Sequence, residues 1–132
     1  MNHNHFVNPE TIAQPVGYTH VVETRGNHTA YISGQVALDP QGKLVGINDM
    51  GAQAEQVFQN IQAALASVGA SFEDVVKLTY YLTDFSQIQA VRDARDHYFD
   101  AAQLPASTAV EVRQLVRKEF LLEIDAVAVL RD

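Results

Sequence analysis

The sequence predicts an α+β fold: one sheet of about five or six strands with two helices on one face, in the order β-β-(β)-α-β-α-β-β. Three observations support this. Residues 104–130 read as two neighbouring strands of alternating apolar residues, LPASTAVEVRQL and LLEIDAVAVL, joined by a polar turn at the charged break VRKEF. Ala54, Val57, Phe58, Ile61, Ala64, Leu65 and Val68 recur with the 3.6-residue period of a helical stripe. VVKLTYYL, between these stretches, has the β-branched and aromatic content of a strand. Two helices can shield only one side of such a sheet, leaving the other to solvent or to a second copy of the chain. A face carrying Lys77, Thr79 and Tyr81 suits a subunit contact, so a homo-oligomer is expected.

Each element has its own signal. Residues 1–16 follow neither period and read as an irregular arm. Two short strands follow at 19–24 and 29–35, a hairpin around Arg25-Gly26-Asn27-His28. Asp39, Pro40 and Gly42 mark a turn before a brief extended piece at Leu44 and Val45. Asn48 or Asp49 caps a helix running to about Val68, and Gly69 ends it. Residues 73–83 form a strand buried on both sides. Asp84 or Ser86 opens the second helix, which runs to about Asp100 with Ile88, Val91, Arg95, Tyr98 and Phe99 near one face. In the last strand Leu121, Glu123, Asp125, Val127 and Val129 share a face, while Phe120, Leu122, Ile124, Ala126, Ala128 and Leu130 make the other wholly apolar. The two acids therefore look away from the core.

Composition bounds the function. The 132 residues suit a single domain, and 47% hydrophobic with 19% charged residues is a soluble globular balance. No apolar run approaches the roughly 18 residues of a spanning helix, and the polar N-terminus lacks a secretion signal, so a cytoplasmic location is expected. Cysteine is absent, which excludes disulfides and thiolate chemistry. A net charge of −7 with nine scattered Lys and Arg argues against nucleic acid as a partner. His20, His28 and His97 lack metal-ligand spacing. Met1-Asn2-His3 is an arrangement that can wrap Cu(II), here read as adventitious. Phosphate loops, serine elbows and HExxH are missing, and the glycosylation pattern Asn27-His28-Thr29 carries no meaning in a chain that is not exported.

Gly17-Tyr18, YISGQ, Asp39-Pro40-Gln41-Gly42, the Gln-rich helix ending at Gly69, DVVKLTYYLTDF, HYF, PASTAVEV and LEIDAVAV follow one another in this order. Together they resemble the Rid (YjgF-like, RidA) family of reactive-intermediate deaminases across nearly the whole chain. The resemblance implies a chorismate-mutase-like fold, a homotrimer, and a small-molecule cleft at each subunit boundary. It implies hydrolysis of an unstable imine or enamine to a 2-keto acid and ammonia, with no metal or cofactor. By this resemblance Glu123 holds the attacking water, while Tyr18, Ser33 and Gln89 orient the substrate. Ser107 stands where such members carry an arginine that clamps the substrate carboxylate, and Ala109 where they often carry cysteine, its backbone N–H still able to bind an oxygen. A serine hydroxyl brings neither charge nor a planar fork. Arg113 lies about 20 Å along the strand, and Arg92 and Arg95 belong to the outer helix. The reading is a hydrolase of a small imine, enamine or related carbonyl compound without the usual carboxylate; the alternative is a noncatalytic trimer binding a metabolite or protein partner in the same cleft.

Overall fold

A computed structural model of the protein describes residues 3–131; the Met1-Asn2 part of the copper-binding pattern lies outside them. Among the described residues six strands and two α-helices follow in the order β1 (Asn4–Val7), β2 (Val21–Thr24), β3 (His28–Gln35), α1 (Met50–Ala66), β4 (Val75–Leu82), α2 (Ile88–Arg95), β5 (Ala106–Glu111) and β6 (Leu122–Leu130). Strands β3, β6, β4 and β5 form a mixed sheet in that spatial order, and β1 pairs with β2 in a separate ribbon. Only the β4–β5 pair is parallel within the larger sheet. Among the described residues no helix is long and apolar enough to cross a membrane.

The alternation of β6 is reproduced from Leu122 to Ala128 and breaks at its end, where Val129 is buried and Leu130 only half-covered. Leu122, Ile124, Ala126 and Ala128 are buried, while Glu123, Asp125 and Val127 are half-buried on the far face. Helix α1 supplies the cover. Val57, Phe58, Ile61 and Leu65 are wholly buried in the cluster that also takes in Leu78 and Leu82, and each such side chain stabilises the fold by roughly 1.5–3 kcal/mol. Asp49 caps this helix, its Oδ1 accepting from the Ala52 N–H at 3.0 Å. Strand β4 departs from the expectation of burial on both sides. Leu78, Tyr80 and Leu82 are buried, but Lys77, Thr79 and Tyr81 are only half-covered, because both helices pack on the same face.

Four expectations need correction. Strands β2 and β3 form no hairpin, since β2 pairs with β1 and β3 with β6. At the break between them Gly26 is pressed against the end of β6, where a Cβ would lie 2.4 Å from the Leu130 carbonyl oxygen, and the Asn27 N–H donates to that same oxygen at 2.9 Å. This contact steers the chain from the ribbon into the sheet. The arm over residues 1–16 is not irregular throughout: Asn4–Val7 is a strand, fixed further by an Asn4 side-chain bond to the Glu73 carbonyl at 3.2 Å. Strands β5 and β6 are not neighbours, because β4 lies between them. Helix α2 stops at Arg95, short of residue 100, as the chain turns to bring Tyr98 and Phe99 against Phe58 and Phe72.

Candidate functional site

The six residues singled out from sequence fall into two groups on opposite sides of the sheet. Glu123 pairs with Tyr81 across β6 and β4, on the face turned away from the helices. Strand β3 approaches it through an irregularity: Ile32 pairs with Ala126 and Gln35 with Ile124, so three steps along β3 match two along β6. The bulge brings Gly34 to Glu123. A Cβ on Gly34 would stand 2.1 Å from Glu123 Oε2 and 2.7 Å from its Cδ. The carboxylate thus lies directly over bare backbone that only glycine provides. Ser33, the residue before Gly34, is exposed.

Two further features shape this face. The Tyr81 hydroxyl donates to Asp125 Oδ2 at 3.2 Å, and the charge of Asp125, with a smaller contribution from Glu123, holds the phenol above its ordinary pKa. Gln53, wholly buried on α1, donates to the Gly46 and Glu119 carbonyls at 3.0 and 2.9 Å and accepts from the Leu121 N–H at 2.9 Å. It fixes where β6 starts, and hence where Glu123 sits.

The second group surrounds the start of β5. Ser107 pairs with Leu78 and Ala109 with Tyr80, both on the inward side of β4, so they leave the sheet opposite to Glu123. Tyr18 is tied to this edge through its neighbour Thr19, whose N–H donates to the Pro105 carbonyl at 3.2 Å and whose hydroxyl reaches the Leu104 carbonyl. Gln89 is exposed on α2, and its amide donates to Asp93 Oδ1 at 2.9 Å. A cavity of about 550 Å³ under the arm takes in Tyr18 and Leu104 but neither Ser107 nor Glu123.

Sequence reasoning set Arg92 and Arg95 aside on the outer helix; the structure brings both to the second group. Arg95 is 8% exposed, and its Nη1 donates to the Gly17 carbonyl at 2.8 Å. Its Nε and Nη2 donate to Asp96 Oδ1 at 3.1 and 2.9 Å. Arg92 Nε lies 3.8 Å from the point a Gly17 Cβ would occupy. Tyr80, buried between β4 and these arginines, has its phenol pushed up to about 12 by burial, against the opposing charges of Arg95 and Arg92. Tyr80, Gln53 and Gly34 had no functional signal in the sequence beyond Gly34 following Ser33. Among the described residues no group of three or more His, Asp or Glu side chains could hold a metal ion.

A mixed sheet backed by two helices, with an acid over a glycine bulge on its open face, defines the class: the chain belongs to the Rid (YjgF-like) family. The family profile described as Endoribonuclease L-PSP matches residues 9–130. A RutC family protein of Synechocystis is 42% identical over 118 residues, 88% of either chain. The 2-iminobutanoate/2-iminopropanoate deaminase of Mus musculus is 36% identical over 103 residues, 78% of this chain and 75% of its own. The crystal structure of YyfB from Yersinia pestis, a Rid protein of unknown function, superposes with a TM-score of 0.90 at 35% identity, covering 98% of this chain and all of that one. The family therefore includes deaminases of small imino acids.

Proposed function

We propose that this protein is a cofactor-free hydrolase of a small imine or enamine, acting in the cytoplasm as a homotrimer. The observation that carries the reading is the Glu123 carboxylate, half-buried on the open sheet face and seated over Gly34, the residue that follows the exposed Ser33. Each cleft combines Glu123 and Ser33 of one copy with Tyr18, Gln89, Ser107 and Ala109 of the next, which accounts for their separation on opposite faces of one chain.

In this site Glu123 accepts a proton from water as the water oxygen bonds to the imine carbon, and the proton passes to the imine nitrogen. The resulting carbinolamine collapses to a carbonyl and expels ammonia. Ser33, Tyr18 and Gln89 orient the substrate, and the Ala109 N–H meets a substrate oxygen. Ser107, replacing the family arginine, alters how the substrate is anchored. The word endoribonuclease in the family description does not carry over, since a chain of net charge −7 is poorly suited to a phosphate backbone.

The test is Glu123→Gln, scored by ammonia release from freshly generated 2-iminopropanoate. The expected loss is about 10²- to 10⁴-fold with the oligomeric state retained; an unchanged rate overturns the mechanism. The Ser107 substitution favours a second reading, a trimer that binds a metabolite without turning it over. Saturable binding without ammonia release from any imine would select it.

A further inference from the structure

Two guanidinium groups converge on Gly17, and only one of them is answered. A Cβ on Gly17 would meet Arg95 Nη1 at 3.4 Å and Arg92 Nε at 3.8 Å. Arg95 is engaged by the Gly17 carbonyl and by Asp96. Arg92, three residues earlier on α2, is half-exposed and has no carboxylate at ion-pair distance among the described residues. The neighbouring Asp93 is occupied by Gln89. Asp93 keeps its charge but forms no ion pair with Arg92, so among the described residues the Arg92 guanidinium is left without a paired acid at this corner.

The surroundings match an anion of small size. Gly17 has φ +79° and no side chain to fill the space before Arg92, and Tyr18 follows it directly. Gln89 lies three residues before Arg92, a spacing that makes them neighbours on the helix surface. Both arginines act on the Tyr80 hydroxyl, and Tyr80 is the cross-strand partner of Ala109. Arg92 thus stands at Gly17, the residue before Tyr18, and acts on Tyr80, the strand partner of Ala109.

We propose that Arg92 is the anion anchor of the cleft, its guanidinium gripping the carboxylate of a small 2-imino or 2-oxo acid beside Tyr18 and the start of β5. The proposal deepens the hydrolase reading and rests on it for the identity of the acid. It also revises the expectation, drawn from Ser107, of a substrate without a carboxylate. A guanidinium offers two parallel N–H donors to a carboxylate, which fixes orientation as well as charge.

The test is calorimetric binding of 2-oxobutanoate, the acid that hydrolysis of 2-iminobutanoate leaves, and of its uncharged amide, to the intact wild-type protein, Arg92→Gln and Arg92→Lys. Wild type is expected to prefer the acid. Arg92→Gln should weaken acid binding about 10- to 100-fold while leaving amide binding and the thermal midpoint unchanged, and Arg92→Lys should recover part of the loss. Equal acid binding in Arg92→Gln, or a wild-type preference for the amide, overturns the anchor. Acid binding that depends on Arg92 in a protein that releases no ammonia from 2-iminobutanoate, with Glu123 intact, upholds the anchor and rejects the hydrolase.

Discussion

Replacing Gly34 by alanine probes how closely the acid is held. The new methyl carbon would start 2.1 Å from Glu123 Oε2, 2.7 Å from Cδ and 2.9 Å from Cγ. Ordinary contacts between such atoms need about 3.5 Å, so the carboxylate must retreat by more than about 1 Å. A displacement of that size at a reacting group costs about 10²-fold in rate. Stability should barely move: the three nearest atoms all belong to the Glu123 side chain, and glycine-to-alanine changes at a compatible backbone position stabilise by about 0.4–1 kcal/mol through the unfolded state. The assay is ammonia release from 2-iminopropanoate, paired with urea unfolding. Gly34→Ala should be about 10²-fold slower and unfold within about 1 kcal/mol of wild type. Added to Glu123→Gln it should slow the reaction no further. A wild-type rate in Gly34→Ala, or additive losses in the double variant, would refute the seating of Glu123 on this glycine.

Two further outcomes follow from buried groups away from the reacting atoms. Gln53→Leu removes a wholly buried amide that satisfies two carbonyls and one N–H; urea unfolding should show a loss of about 2–4 kcal/mol, and a change below about 0.5 kcal/mol would mean that the loop ahead of β6 finds other partners. Tyr80 ionises at about 12, against an ordinary 10.0. The folded state therefore keeps its proton where the unfolded chain loses it, so this contribution is intact below pH 10 and is lost as pH rises towards 12. Tyr80→Phe should flatten the fall in stability across that window by roughly 2–3 kcal/mol, and an alkaline limb identical to wild type would refute the assignment.

Strand β6 was legible because its pattern and its environment share one period. Leu122, Ile124, Ala126 and Ala128 alternate with half-covered residues along the chain and in the structure alike. The stripe of α1 was legible for the same reason. Pairing was not, because apolar alternation states which face of a strand is buried and not which strand lies beside it. The hairpin expected of β2 and β3 dissolved for this reason, as β1 took the place beside β2 and β6 the place beside β3, and β4 entered between β5 and β6. Family resemblance drew attention to Glu123 and Ser33, but nothing in YISGQ says that a bulge will lay Gly34 under the acid. The helical period put Arg95 with Ile88 and Val91 and so foretold its burial. It could not foretell that the covering segment is Gly17, 78 residues away in sequence. Arg92 fell outside the stripe, and the sequence assigned it only to the outer helix.

Strand β6 also carries a safeguard. Sliding it by a single residue would exchange its two faces, driving Glu123 and Asp125 into the hydrocarbon interior and exposing Ile124 and Leu122. Burying two unpaired carboxylates is prohibitive, so misaligned forms are excluded long before any ligand arrives. The placement of the acid is thus inherited from the dryness of the interior, and mutations that leave that interior well packed have little freedom to move it.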